Sequence, residues 1–123
     1  MDRIFLGLGA VLGFLAVGMG AFGAHALQDR LSQDMMNTFE IGVRYQMYHA
    51  LVLMLLSTLV TRISSPSIVI SGWLMAGGSL IFSGTIYTLS LTGIRWWGAI
   101  TPLGGLALLG GWLCLIWAAW DTR

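Results

Sequence analysis

The sequence predicts an all-α integral membrane protein with four transmembrane helices in an up-and-down bundle. Three observations support this fold class: hydrophobic residues make up 57% of the chain, charged residues make up only 9%, and the apolar residues fall into long blocks. A soluble domain of 123 residues has a large surface for its volume and needs many charged groups to cover it. Only six basic and five acidic residues are present, so a lipid bilayer is the solvent that fits this composition.

The apolar blocks cover residues 4–27, 45–61, 68–93 and 97–120 of a single domain, 1–123. A helix needs about 20 residues to cross roughly 30 Å of hydrocarbon, and the second block lies at the lower limit of that length. Inside lipid the backbone must pair all of its polar groups, which only helices and closed barrels achieve. Barrel strands alternate apolar and polar residues. These blocks do not alternate, so each one is predicted to be a helix.

The first block follows Arg3 and runs to Leu27. Its apolar stretch of about twenty residues is longer than the roughly 7–15-residue core of a signal peptide. We therefore expect a retained transmembrane helix.

The second helix is expected to begin before its apolar block. Ser32 has the side chain of an N-cap residue, and Asp34 in the first turn would complement the helix dipole. A helix from Ser32 to Thr61 would be about 43 Å long, which exceeds the hydrocarbon thickness. About its first ten to twelve residues should therefore lie in the headgroup layer or in water, and Gly42 is a candidate flex point there.

Short polar turns separate the remaining helices, at 61–67 (TRISSPS) and 92–97 (TGIRWW). Four spans place both termini on one side of the membrane. The arginines then divide equally, with Arg3, Arg62 and Arg123 on the side of the termini and Arg30, Arg44 and Arg95 on the other. The positive-inside rule gives no decision, but Arg3 precedes the first helix, which often dominates. We therefore expect cytoplasmic termini.

Small residues recur at helical spacing on three of the helices, where they would let backbones approach closely in lipid. On the first helix they fall within an arc of about 100°. We expect them to pack the helices of the bundle; a subunit interface, or room for a lipid tail or flat cofactor, are the alternatives. The predicted packing residues are Gly9, Gly13, Ala16, Gly20 and Gly23 on the first helix, Gly77 and Gly84 on the third, and Gly104 and Gly111 on the fourth.

Polar side chains gather at one end of the predicted bundle, where the first and third helices end. We expect a structural network that ties the helix ends together; a site for a ligand, proton or substrate is the alternative. A metal site through His25 and His49 is disfavoured because no HxxH or CxxC spacing is present, so neither a metal nor a cofactor is predicted. The candidate polar cluster consists of His25, Glu40, Arg44, Tyr45, Tyr48, His49, Ser83, Tyr87 and Thr101.

His49 is the deepest member of this cluster, about 13 residues or about 20 Å from Arg62. Ionisable groups at such depth usually face the interior of a helix bundle. We therefore expect the His49 ring to point inward and to hydrogen-bond with the hydroxyl of Tyr87 or Thr101.

Glu40 and Arg44 lie closer to the predicted membrane surface. Their i, i+4 spacing, with the acid first, is the favourable order for an ion pair on a helix. We expect Glu40 to pair with Arg44 or with Arg95 near the headgroups.

Several function classes lack the residues that they need. No nucleophile elbow, phosphate-binding loop or HExxH motif occurs in the sequence, so no enzymatic activity is predicted. A net charge of +1 provides no basic patch for nucleic acid. Cys114 is the single cysteine, which excludes an internal disulfide.

Four stretches carry a family resemblance: GAFGAHAL at 20–27, TFEIGVRYQMYHALVL at 38–53, FSGTIYTLSLTG at 82–93 and ITPLGGLALLGGW at 100–112. In this order, and over nearly the whole chain, the sequence resembles the small bacterial inner-membrane proteins called domain of unknown function 423, which are related to the eukaryotic transmembrane protein 256. The most specific elements are the His–x–Leu steps at His25 and His49 and TPLGG at 101–105. The resemblance implies a four-helix bacterial inner-membrane protein and no particular activity.

We therefore expect a non-enzymatic accessory, scaffold or membrane-organisation protein in the lipid bilayer. It would pack against itself as a homo-oligomer or against a larger membrane complex, and not against nucleic acid. One alternative is a small transporter or channel that forms a pathway only as an oligomer. Another is a lipid or quinone binder that uses the polar face formed by His25, Glu40, Arg44, His49, Tyr87 and Thr101.

Overall fold

A computed structural model describes residues 1–121, and no β-strand occurs among them. Each apolar block of the sequence forms a long helix that satisfies its own backbone hydrogen bonds. All four helices are long and apolar enough to cross a membrane, which confirms the predicted fold class. They are α1 (Asp2–Phe22), α2 (Gln33–Arg62), α3 (Pro66–Thr92) and α4 (Trp97–Trp120). Arg123, which entered the comparison of charges, lies outside the described residues.

A π-helical turn, Gly23–Leu27, continues α1. The apolar helix therefore extends to Leu27, the residue at which the first block ends. Leu27 is buried in this turn, whereas His25 points outward and is exposed.

The N-terminus of α2 is where its capping residues predict it. The Ser32 hydroxyl accepts a hydrogen bond from the Met35 N–H at 3.2 Å, and Asp34 lies in the first turn. The helix contains 30 residues and is about 45 Å long. It is continuous through Gly42, which is buried against Ile86 of α3, so the glycine there allows close packing.

Both ends of α3 are also set by local sequence. Ser65 caps its first turn through a 3.3 Å hydrogen bond from the Ser67 N–H, and Pro66 occupies the first turn, where a proline removes no needed donor. Gly93 ends the helix in the left-handed conformation, with φ of 71° and its N–H donating to the Leu89 carbonyl.

The helices pack in chain order: α1 on α2, α2 on α3, and α3 on α4. Neighbours are antiparallel, because residues early in one helix meet residues late in the next. Within residues 1–121, the backbone of α4 approaches neither α1 nor α2, while α1 approaches α3 over a short stretch only. As a result α3 is the central helix, with 50% of its most apolar window buried, against 17% for α4.

The main apolar core lies towards the end of the bundle that carries the N-terminus. The Phe5 ring fills the space beside Gly72, where any side chain would collide with it. The Ser65 hydroxyl donates to the Asp121 carboxylate at 2.9 Å, which places the end of α4 beside the α2–α3 turn. The completely buried apolar side chains of this core are Phe5, Leu53, Leu56, Ile68 and Met75.

Candidate functional site

The structure separates the predicted polar cluster into outward-facing residues and several independent interhelical contacts. His25 is exposed in the π-helical turn, and Tyr48 is 54% exposed on the outer face of α2. Glu40 and Arg44 form the expected i, i+4 pair at 3.4 Å, also on the outside. A single connected network was therefore the wrong expectation, because none of these four side chains makes a hydrogen bond to another helix within residues 1–121.

His49 is buried and makes two hydrogen bonds. One ring nitrogen, Nδ1, lies 2.6 Å from the Tyr45 carbonyl oxygen, and the other, Nε2, lies 3.1 Å from the Trp112 indole nitrogen. The carbonyl can only accept and the indole N–H can only donate. Together they assign a neutral ring with its proton on Nδ1. A doubly protonated ring would lose the bond from Trp112.

The predicted partners of His49 were wrong. Tyr87 donates instead to Gln46, at 2.6 Å, and the Thr101 hydroxyl oxygen lies 2.7 Å from that of Thr85. Thr101 stands in the first turns of α4, near one end of the bundle, whereas His49 lies near the middle of α2. The long indole of Trp112, nearer the middle of α4, covers that distance.

Tyr45 contributes its ring as well as its carbonyl. The ring is 42% exposed and stacks on Phe82 of α3 with centroids 4.9 Å apart. Aromatic stacking of this kind fixes the side chain at the edge of the α2–α3 contact.

Gln46 is the polar residue that sequence reasoning left out of the cluster. It is 4% exposed, and its amide nitrogen donates to the Leu12 carbonyl of α1 at 2.8 Å. Its amide oxygen accepts the bond from Tyr87 of α3, so this one side chain joins three helices. The signal was present: Gln46 shares a helical face with the buried residues Gly42, His49 and Leu53.

Serines on α3 make the other buried interhelical bonds. The Ser83 hydroxyl donates to the Gly42 carbonyl of α2 at 2.7 Å, and the Ser71 hydroxyl donates to the Gly111 carbonyl of α4 at 2.7 Å. Each bond needs a glycine as the acceptor residue, because only a close backbone lets a serine reach it.

The small residues of α1 lie on α2 of the same chain. A side-chain carbon at Gly9 would be 2.7 Å from the Ala50 carbonyl oxygen, and one at Gly23 would be 2.7 Å from the Phe39 ring. Gly13 and Gly20 have looser contacts: a side-chain carbon at Gly13 would be 3.8 Å from the Ala50 side chain, and one at Gly20 would be 3.4 Å from the Val43 side chain. Ala16 is buried.

On α3 and α4 some of the predicted packing glycines make close contacts and others do not. Gly104 lies directly against the Phe82 backbone, and a side-chain carbon at Gly111 would be 3.1 Å from the Met75 sulfur. The prediction that Gly77 and Gly84 pack against another helix was wrong, since a side-chain carbon at either position would meet nothing within 4 Å. Gly78, one residue and about 100° around the helix from Gly77, makes the contact with α4 instead.

A groove remains where α1 and α3 diverge, with a volume of about 220 Å³; we call it the α1–α3 groove. Leu15, Leu80 and Gly84 at its edges are exposed, so it opens to the surroundings of the bundle. Its apolar lining is Leu12, Leu15, Met19, Leu80 and Gly84, and its polar lining is Gln46, Ser79, Ser83 and Tyr87.

Comparisons with known proteins agree with this architecture. Residues 19–105 match the family model described as protein of unknown function (DUF423). The chain is 44% identical over 118 residues to the UPF0382 membrane protein YwdK of Bacillus subtilis, covering 95% of this chain and 96% of that protein. It is 46% and 45% identical over 114 residues to UPF0382 membrane proteins of Staphylococcus haemolyticus and Staphylococcus epidermidis, covering 93% of each chain. No solved structure matches the chain.

Proposed function

This chain belongs to the DUF423 family of proteins of unknown function, and we propose that it is a non-enzymatic accessory or scaffold protein of the bacterial cytoplasmic membrane. The observation that carries this proposal is the use made of buried polar groups. Gln46, Ser71 and Ser83 each donate to a backbone carbonyl of a neighbouring helix. Bonds of this kind hold helices together in lipid, which is the role expected of a structural protein.

The outer face of α4 is one surface that an assembly would use. Within the described residues the backbone of α4 approaches that of α3 only, although the Trp112 side chain reaches His49 of α2. The other side of α4 carries large apolar residues, among them Leu106 at 64% and Leu113 at 65% exposed. A second copy of the chain or a larger membrane complex would cover part of this face. Within residues 1–121 the helices of one copy do not surround a pathway, so a transporter or channel would require such an oligomer.

Native mass spectrometry of the protein released from native membranes tests the assembly role. We expect a mass above that of one chain, with a fixed stoichiometry. A monomer throughout would contradict the proposal. Selective solute flux through proteoliposomes that contain only this protein would favour the transporter instead.

The orientation can be tested by cysteine labelling in a Cys114→Ser background. Cysteines introduced at Asp2 and Ser64 should react with an impermeant reagent only from the cytoplasmic side, and a cysteine at Gln28 only from the other side. Labelling of positions 2 and 28 from the same side would contradict four spans.

A further inference from the structure

The α1–α3 groove exists because α1 touches α3 at one end only. There Phe5 lies against Gly72 and its ring meets that of Trp73 at a centroid distance of 5.7 Å. Further along, α3 offers no comparable contact with α1, and Leu12, Leu15 and Met19 of α1 line the space between the two helices. The resulting space of about 220 Å³ exceeds the cavity of about 150 Å³ that holds benzene, and it is smaller than the roughly 300 Å³ at which drug-sized pockets begin. It suits one ring or a short length of chain.

Ser79 on the lining of this groove differs from most polar residues of α3, and it shares its unpartnered hydroxyl only with Ser90, which lies outside the groove, among residues 1–121. It is 2% exposed, and its hydroxyl has no hydrogen-bond partner among residues 1–121. Thr88 and Thr92 on the same helix donate to the carbonyl four residues earlier, and Ser83 donates to α2. In hydrocarbon no water replaces a missing partner, so an unpaired hydroxyl at this position calls for an acceptor from outside the described residues.

Gln46 provides a second unused donor beside the same space. Its orientation is settled by the Leu12 carbonyl, which can only accept, so the amide nitrogen faces α1. That nitrogen carries two hydrogens, and within residues 1–121 only one of them has an acceptor. The amide oxygen already receives the Tyr87 hydroxyl. The hydrogen-bonding groups beside the groove that lack a partner within residues 1–121 are therefore donors.

We propose that the α1–α3 groove binds an apolar molecule through a neutral carbonyl oxygen, which accepts a hydrogen bond from Ser79. Carbonyls near membrane proteins come from lipid quinones or from acyl esters. Ser79 is the middle residue of α3, about 20 Å from either end, whereas ester carbonyls lie at the edge of a hydrocarbon layer roughly 30 Å thick. A quinone-type ring that enters the hydrocarbon therefore fits the depth better than an ester.

Binding can be measured by native mass spectrometry of the detergent-solubilised protein, titrated separately with three probes. They are a benzoquinone that carries one isoprene unit, dioctanoylglycerol as an acyl ester, and decane, which has no carbonyl. Ser79→Ala removes the donor, and Gly84→Leu places a side chain at the edge of the groove. The matched controls are Ser90→Ala, which removes the other unpartnered buried hydroxyl, and Gly77→Leu, which adds a side chain in open space away from the groove.

We expect the quinone probe to bind, with affinity reduced about two- to tenfold by Ser79→Ala, as for one neutral hydrogen bond, and abolished by Gly84→Leu. Both controls should leave the affinity unchanged. If only dioctanoylglycerol bound, with the same response to the four substitutions, the groove would still be a site for a carbonyl oxygen, and its ligand would be an ester lipid. Equal binding of decane, or equal effects of Gly84→Leu and Gly77→Leu, would overturn the proposal.

Discussion

The α3–α4 contact and the α1–α3 groove share a helix yet differ in how closely the backbones approach. Between α3 and α4, Gly78 and Gly104 bring the helices together, and the Ser71 hydroxyl reaches a backbone carbonyl. Between α1 and α3, leucine and methionine side chains line an open groove, and the Ser79 hydroxyl has no hydrogen-bond partner within residues 1–121. In lipid, a glycine on the neighbouring helix therefore brings a backbone carbonyl within reach of a serine, as at Gly42 and Gly111.

The difference arises from how α1 uses its small residues. Gly9, Gly20 and Gly23 face α2, so the side of α1 that looks towards α3 is left with larger side chains. One helix cannot offer the same stripe to two neighbours, and the groove is the consequence.

The largest expected effect is on the α3–α4 contact. Gly104→Ala places a carbon within collision distance of the Phe82 backbone, and the helices must separate to accept it. We expect a loss of about 3 kcal/mol in the free energy of unfolding, at the upper end for an overpacked site. Unfolding in mixed micelles, titrated with a denaturing detergent, measures this.

The neighbouring residue provides the control for that substitution. Gly105→Ala meets only the Phe82 ring, at 3.8 Å, and gains helix propensity, so stability should stay equal or rise slightly. Equal destabilisation by both substitutions would mean that the α3–α4 distance is not set by Gly104.

The next effect is on Gln46, at the boundary between the two regions. Gln46→Leu removes the bonds to Leu12 and Tyr87 and leaves the half-buried Tyr87 hydroxyl without its acceptor. Interhelical bonds in membranes are worth about 0.6 kcal/mol on average and up to about 1.7 kcal/mol, so we expect a loss of about 2 kcal/mol. Adding Tyr87→Phe should recover part of it. Strict additivity of the two substitutions would show that the observed bond contributes nothing.

A smaller effect is expected for the bond between His49 and Trp112. It reaches across α3 between helices whose backbones do not touch, so it should report on the position of α4. Trp112→Phe should cost about 1 kcal/mol by the loss of one bond and some packing. A double-mutant cycle with His49→Leu measures the coupling, and a coupling near zero would indicate that α4 is held by α3 alone.

Local features of this fold could be predicted from the sequence, whereas the side that each helix turns towards its neighbours could not. Ser32 capped α2 as expected because an N-cap depends only on the next three residues. The choice between Gly77 and Gly78 depends on the rotation of α3. Apolar residues are spread almost evenly around that helix, so its hydropathy does not indicate a buried side. His49 was rightly expected to be buried, but its partner depends on the register between α2 and α4, which no short stretch of sequence encodes.

The smallest expected effect comes from replacing a serine of α3 by alanine. The change in the free energy of unfolding should differ in sign between the α3–α4 contact and the α1–α3 groove, which makes this the sharpest comparison. Ser71→Ala deletes a bond to the Gly111 carbonyl and should cost about 0.6 kcal/mol, the average for such bonds in membranes. Ser79→Ala deletes a buried hydroxyl that has no partner within residues 1–121, so in protein freed of bound lipid it should leave the free energy of unfolding unchanged or raise it by up to about 1 kcal/mol. Both changes remove the same atom from the same helix, so helix propensity and lost volume cancel between them. If Ser79→Ala is as destabilising as Ser71→Ala in delipidated protein, then Ser79 is already paired inside the bundle, and the groove does not need a ligand to satisfy it.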